Sequence, residues 1–181
     1  MRPDHKACAD IVFMRGQIRS VPAIHYGGVF MTIEINDPVQ KERIAKEILL
    51  QLPEWFGVPQ STESYITGSR EKPFWAEIYD GQAIGFISLK ATSPDTAEIY
   101  VMGVLPTHHR CGAGRSLYKK LECYAKDHGY SFVQVKTVKK GYWNSYDKTN
   151  EFYIAMGFKE LECFPEYWDK ANPCQIYIKA L

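Results

Sequence analysis

Val104-Leu105-Pro106-Thr107-His108-His109-Arg110-Cys111-Gly112-Ala113-Gly114-Arg115 is the stretch on which the fold of this chain turns. It stands between an apolar run of strand character and a run with helical spacing. Two glycines separated by Ala let the backbone approach a ligand closely, and the helix start behind them offers unpaired N–H groups and the positive end of its dipole. That arrangement suits a pyrophosphate, although a plain strand-to-helix turn has the same outline. Residue identity excludes other nucleotide loops: GxxxxGK[ST] is missing, and Leu117 stands where a dinucleotide fingerprint needs its third Gly or Ala. His108, His109 and Cys111 have no second ligand pair at a metal-binding spacing, so no metal is expected.

Upstream of the loop, Phe74 to Tyr79, an Asp80-Gly81 turn, Gln82 to Lys90 and, past Pro94-Asp95, Ala97 to Val104 read as an antiparallel meander. Before it, Met31 to Ile35 reads as an opening strand. Asp37-Pro38 starts a helix with Gln40 at the capping-box position and Ile44, Ile48 and Leu52 along one face, ended by Pro53. A shorter helix starts near Ser61.

Downstream, a helix from Gly112 to His128 buries Leu117, Leu121, Tyr124 and Ala125 and stops at Gly129. A strand (Phe132 to Val138), a helix (Asp147 to Met156), a strand from Phe158 and a last strand at Gln175 to Lys179 complete the order. Strand, two helices, three strands, helix, strand, helix, two strands predicts an α/β (α+β) mixed sheet with helices on both faces. Residues 1–30 keep no period and are expected to be an extension; residues 31–181 are expected to form one domain.

Composition narrows the function. The chain has 181 residues, 45% of them hydrophobic, which is enough for one sizeable core. Lys and Arg number 22 against 21 Asp and Glu, so no global field grips nucleic acid or an anionic membrane, and neither is expected as a partner. The apolar stretches are too short to span a bilayer, and the charged start from Met1 to Lys6 is not followed by a signal-peptide core, so a cytoplasmic protein is expected. Cys8, Cys111, Cys123, Cys163 and Cys174 are odd in number and form no CxxC, which points to reduced thiols.

The loop resembles that of the GNAT superfamily of N-acetyltransferases. The family's [QR]-x-x-G-x-[GA] aligns with His109-Arg110-Cys111-Gly112-Ala113-Gly114, after a Val-x-Pro at Val104-Leu105-Pro106; His109 replaces Gln or Arg. A second block, Tyr-x-x-x-Gly-Phe, stands at Tyr153-Ile154-Ala155-Met156-Gly157-Phe158. The resemblance runs from about Thr32 to the C-terminus. It implies a GNAT-like fold with a central, mostly antiparallel sheet, and an enzyme moving acetyl from acetyl-CoA to a primary amine by direct attack in a ternary complex. Backbone groups of Met102, Gly103 and Val104 would hold the pantetheine and polarise the thioester. His109, Arg110, Cys111, Gly112, Ala113, Gly114 and Arg115, with Lys119, would hold the phosphates.

The chemistry needs two proton transfers. An aliphatic ammonium has a pKa near that of Lys, about 10.4, so a base must neutralise it before it attacks. Glu98, in the strand before the loop, resembles in placement the general base of the histone acetyltransferase branch; the alternative is a solvent-facing sheet residue. Tyr153 matches the family's Tyr that protonates the departing thiolate; the alternative is aromatic core. For the acceptor, the resemblance points to Trp55, Phe56, Tyr142 and Trp143, with Tyr146, Tyr167 and Trp168. Glu160, Glu162, Glu166 and Asp169 make the late segment acidic, which favours a cationic acceptor. A small-molecule amine is the expected acceptor. A protein or peptide amine, or a non-catalytic acyl-CoA-binding regulatory domain, stand as alternatives, and a homodimer is left open.

Overall fold

The structure, a computed structural model, describes residues 29–181. The extension expected over residues 1–30 lies, but for its last two residues, outside the described residues. Strand β1 (Phe30–Glu34) begins one residue ahead of the expected boundary, with Phe30 opposite Tyr79 and their rings 4.6 Å apart.

Helix α1 (Pro38–Leu49) starts as its sequence dictates: the Asp37 carboxylate accepts the Gln40 N–H at 2.7 Å, and Pro38 sits where no N–H is needed. It ends before Pro53, and Leu52 is buried from the turn that follows. Helix α2 (Pro59–Gly68) starts two residues ahead of Ser61, with proline again in the first turn.

The meander is β2 (Phe74–Tyr79), β3 (Gln82–Ala91) and β4 (Thr96–Val104), followed by helix α3 (Ala113–Asp127) and β5 (Phe132–Val138). Helix α4 (Asn144–Ala155) starts three residues before Asp147, whose carboxylate instead accepts the Gly141 N–H at 2.7 Å and closes the preceding turn. A long hairpin of β6 (Lys159–Asp169) and β7 (Asn172–Ala180) ends the chain; both strands exceed the sequence reading because each extends to the tight turn at Asp169.

The sheet runs β1-β2-β3-β4-β5-β7-β6, antiparallel except for the parallel pair β4 and β5. This is the mixed sheet expected, with helices on both faces. One core packs α3 and α4 against the sheet through Trp75, Ile87, Leu89, Ile99, Leu117, Tyr118, Leu121 and Val133. The other packs α1 and α2 through Ile44, Ile48, Ile66, Phe74, Phe86 and Val101. Ile99 and Val101, two residues apart, serve opposite cores. Alternation along a strand forbids this unless a residue is inserted, and the register slips between Leu89↔Ile99 and Ser88↔Val101, leaving Tyr100 as a β-bulge.

Candidate active site

The bulge sits where β4 parts from β5. Their pairing covers Thr96↔Phe132, Ala97↔Val133 and Glu98↔Gln134 and stops there, so from Ile99 to Val104 the β5-facing edge of β4 has no ladder partner. At roughly 3.3 Å per residue this open edge runs about 20 Å, from Glu98 to the loop at the strand's end. That is a length suited to an extended pantetheine arm.

At the far end of the opening, Pro106–His108 forms one 3-10 turn, and the chain enters α3 through Arg110 at φ 63° and Gly112 at φ 95°. A Cβ on Gly112 would meet nothing within 4 Å, so the glycine is required by its left-handed backbone and not by crowding. No side chain caps the first-turn N–H groups of α3. Gly114 has another reason: a Cβ there would lie 3.2 Å from the Phe152 ring and 3.3 Å from Met102. Its smallness lets α3 lie close to α4 and β4.

Arg110 and Arg115 are exposed, and neither makes an ion pair among the described residues. His109, which replaces Gln or Arg, turns back: its Nε2 lies 2.8 Å from the Val104 carbonyl oxygen, and its ring stands edge-on to Trp55. It ties the loop to the end of β4.

At the near end lies a cleft of about 320 Å³ lined by α2 (Ser61, Ser64, Tyr65), the strand residues Lys90, Glu98, Ile99, Tyr100 and Lys136, and the hairpin residues Tyr167 and Trp168. Glu98 is buried at its floor. Lys90 Nζ lies 2.9 Å from one carboxylate oxygen; Lys136 Nζ and the Gln134 amide donate to the other at 2.5 and 2.6 Å. Burial pushes the Glu98 carboxyl up, but the hydrogen bonds from Lys136, Lys90 and Gln134 outweigh it and hold the group below its ordinary range. Glu98 is therefore ionised. Tyr153 is buried against Phe152, Phe158 and Tyr177, and burial, helped by Tyr146 and Tyr65, drives its phenol well above the ordinary range, so it keeps its proton. Asn150 fixes the turn of α4 before it, donating to the Val138 carbonyl at 3.0 Å and accepting from the Tyr177 hydroxyl at 2.7 Å.

Of the expected acceptor residues, Trp55 links elements: its indole N–H donates to Thr149 on α4 at 3.0 Å, and its carbonyl accepts the Tyr146 hydroxyl at 2.7 Å. Phe56 stands behind the cleft wall, edge-on to Tyr65. Tyr142 and Trp143 are half-exposed on the β5–α4 link; Trp143 bonds to Ala171 and Asn172 at the hairpin turn and does not line the cleft. Sequence reasoning overlooked Tyr65, Lys90, Tyr100 and Lys136, which belong to separate elements and carry no local motif. Asp169 caps the hairpin turn, Glu166 stands 3.7 Å from Lys170, and Glu160 and Glu162 lie exposed on the edge strand; none of the four lines the cleft.

A phosphate-ready helix start joined by a splayed strand pair to a small cleft defines a transferase that takes its group from a long-armed, phosphate-bearing carrier. The acetyltransferase (GNAT) family matches residues 41–158, and the chain belongs to that family. An uncharacterised N-acetyltransferase of Chlorobaculum tepidum is 30% identical over 118 residues, 64% of this chain and 68% of that protein. The fold is also that of an IAA acetyltransferase from Bacillus cereus (21% identity, TM-score 0.67, 84% of this chain and 100% of that one). A GNAT acetyltransferase from Elizabethkingia anophelis, solved with acetyl-CoA bound, aligns at 17% identity and TM-score 0.63 over 86% and 99% of the two chains. No described helix is long and apolar enough to cross a membrane.

Proposed function

We propose that this acyltransferase moves the acetyl group of acetyl-CoA onto the primary amine of a small molecule, in the cytoplasm, by direct attack in a ternary complex. The observation that carries the reading is the continuous opening along β4, from the uncapped start of α3 to the cleft at Glu98. The backbone N–H groups from Cys111 to Arg115, with the Arg110 and Arg115 side chains, receive the phosphates. The β4 edge at Met102, Gly103 and Val104 receives the pantetheine. A cleft near 320 Å³ is at the small end of ligand pockets, roughly 300–1,000 Å³, and favours a small acceptor over a folded protein.

In the reaction the amine nitrogen attacks the thioester carbon, the tetrahedral intermediate forms and the C–S bond breaks. Glu98 accepts the amine's proton through a water, because its own oxygens already hold Lys90, Lys136 and Gln134. The proton passes on to solvent. Tyr153, which stays protonated at physiological pH, gives its proton to the departing thiolate, and the second proton shed by the attacking nitrogen returns to Tyr153. A panel of small amines and peptides incubated with acetyl-CoA, read by free thiol and by the mass of the product, tests this. Acetylated small amines are expected. Product from peptides alone moves the acceptor class, and heat stabilisation by acetyl-CoA with no thiol above background leaves a binding domain only.

A further inference from the structure

We infer that the acceptor is an amine that also carries a carboxylate, as an amino acid does. This rests on the acetyltransferase reading above and names its substrate class. The cleft floor is a cross-strand row: Lys90 on β3 faces Glu98 on β4, which faces Gln134 on β5, with Lys136 next but one along β5 on the same side. Among the residues lining the cleft, two ammonium groups meet one carboxylate, and Glu98 is the sole acid.

A third ammonium stands at the rim. Lys72 Nζ lies 4.1 Å from the centre of the Tyr100 ring, and Lys90 Nζ lies 5.6 Å from the same ring. Burial first, and then the nearby Lys90, lower the proton affinity of Lys72 while Glu71 raises it, and its ammonium donates to the Gly68 carbonyl oxygen. One lysine suffices to neutralise Glu98. A second on the same carboxylate, with the Lys136 side chain 22% exposed, leaves a net cation beside the buried Glu98.

An anion on the ligand removes that imbalance, whereas a polycationic acceptor meets like charge on two strands. An amino acid matches the row end to end. Its ammonium lies by Glu98 and the relay water, its carboxylate on the cleft side of the Lys90 and Lys136 ammonium groups that hold Glu98, and its side chain against Tyr65, Tyr167 and Trp168, which wall the cleft.

The test is thiol release from acetyl-CoA with each of the twenty amino acids beside its own carboxamide, and with polyamines and aminoglycosides. For the amino acids accepted, kcat/KM is expected to exceed that of the amide by about tenfold or more. Lys136→Met and Lys90→Met should each bring that ratio towards one, and Lys136→Arg should keep it; protection of each variant by acetyl-CoA in thermal unfolding shows that the donor side is intact. Amides equal to or better than their acids overturn the inference, as do ratios unmoved in both methionine variants. Inert amino acids beside active polyamines or aminoglycosides overturn it too and leave the acetyltransferase reading standing. Silence from every amine overturns both.

Discussion

Strand β4 serves two regions built on different principles. At its C-terminal end the donor loop is made of backbone: a left-handed Gly112, an uncapped helix start and an open strand edge. At its middle the acceptor cleft is made of side chains, gathered from α2, β3, β4, β5 and the β6–β7 hairpin around Glu98. A backbone site recognises what every substrate pair shares, the carrier. A site of side chains from several elements can change one residue at a time, and acceptor specificity is proposed to reside there.

The comparison breaks most visibly at Glu98. If its carboxylate passes the amine's proton on, Glu98→Gln should lower the maximal rate by roughly a hundredfold to ten-thousandfold, with acetyl-CoA affinity nearly unchanged and the defect shrinking as pH rises and more amine is neutral. A full rate across the pH range would transfer the role to an ordered water held by backbone carbonyls. Tyr153→Phe should cost less, about ten- to a hundredfold, with little relief at high pH, because no deprotonation of the amine replaces a donor to the thiolate. Circular dichroism must first show both variants folded, since Tyr153 packs in the core.

Gly112→Val addresses the other region. A β-branched residue at φ 95° strains the backbone and shifts the cradle, so Kd for acetyl-CoA should rise about tenfold or more while acceptor preference stays as it was. Unchanged affinity in a folded protein would remove the loop from the donor site. The smallest effect belongs to the N-terminus. A chain beginning at Met31 should bind acetyl-CoA as well as the full chain and lose only the Phe30–Tyr79 ring contact, worth about 1 kcal/mol, in melting experiments. A large fall in melting temperature would make the first thirty residues part of the fold.

The same contrast explains what was legible in the sequence. The loop with its glycines, the cap at Asp37 and the meander are local, so the element order and the donor end of β4 followed from neighbours in the chain. Helix α4 began earlier than expected because Asp147 had two uses, and it caps the turn before the helix. The bulge at Tyr100 is invisible to alternation, since it shows only when β3 is laid beside β4. Lys90 and Lys136 carry no local motif, and only the pairing of β3, β4 and β5 sets them on one carboxylate. Aromatic residues drew attention to Tyr142 and Trp143, of which Trp143 bonds at the hairpin turn, while Tyr65, in a short helix without a motif, lines the cleft.

In the proposed function donor and acceptor meet along the β4–β5 opening, with both substrates bound at once. Initial rates of thiol release, with acetyl-CoA and the best amine each varied against fixed levels of the other, test this most directly. Intersecting double-reciprocal lines are expected from a ternary complex. Parallel lines, the mark of an acetylated enzyme and a donor that leaves before the acceptor binds, would contradict it.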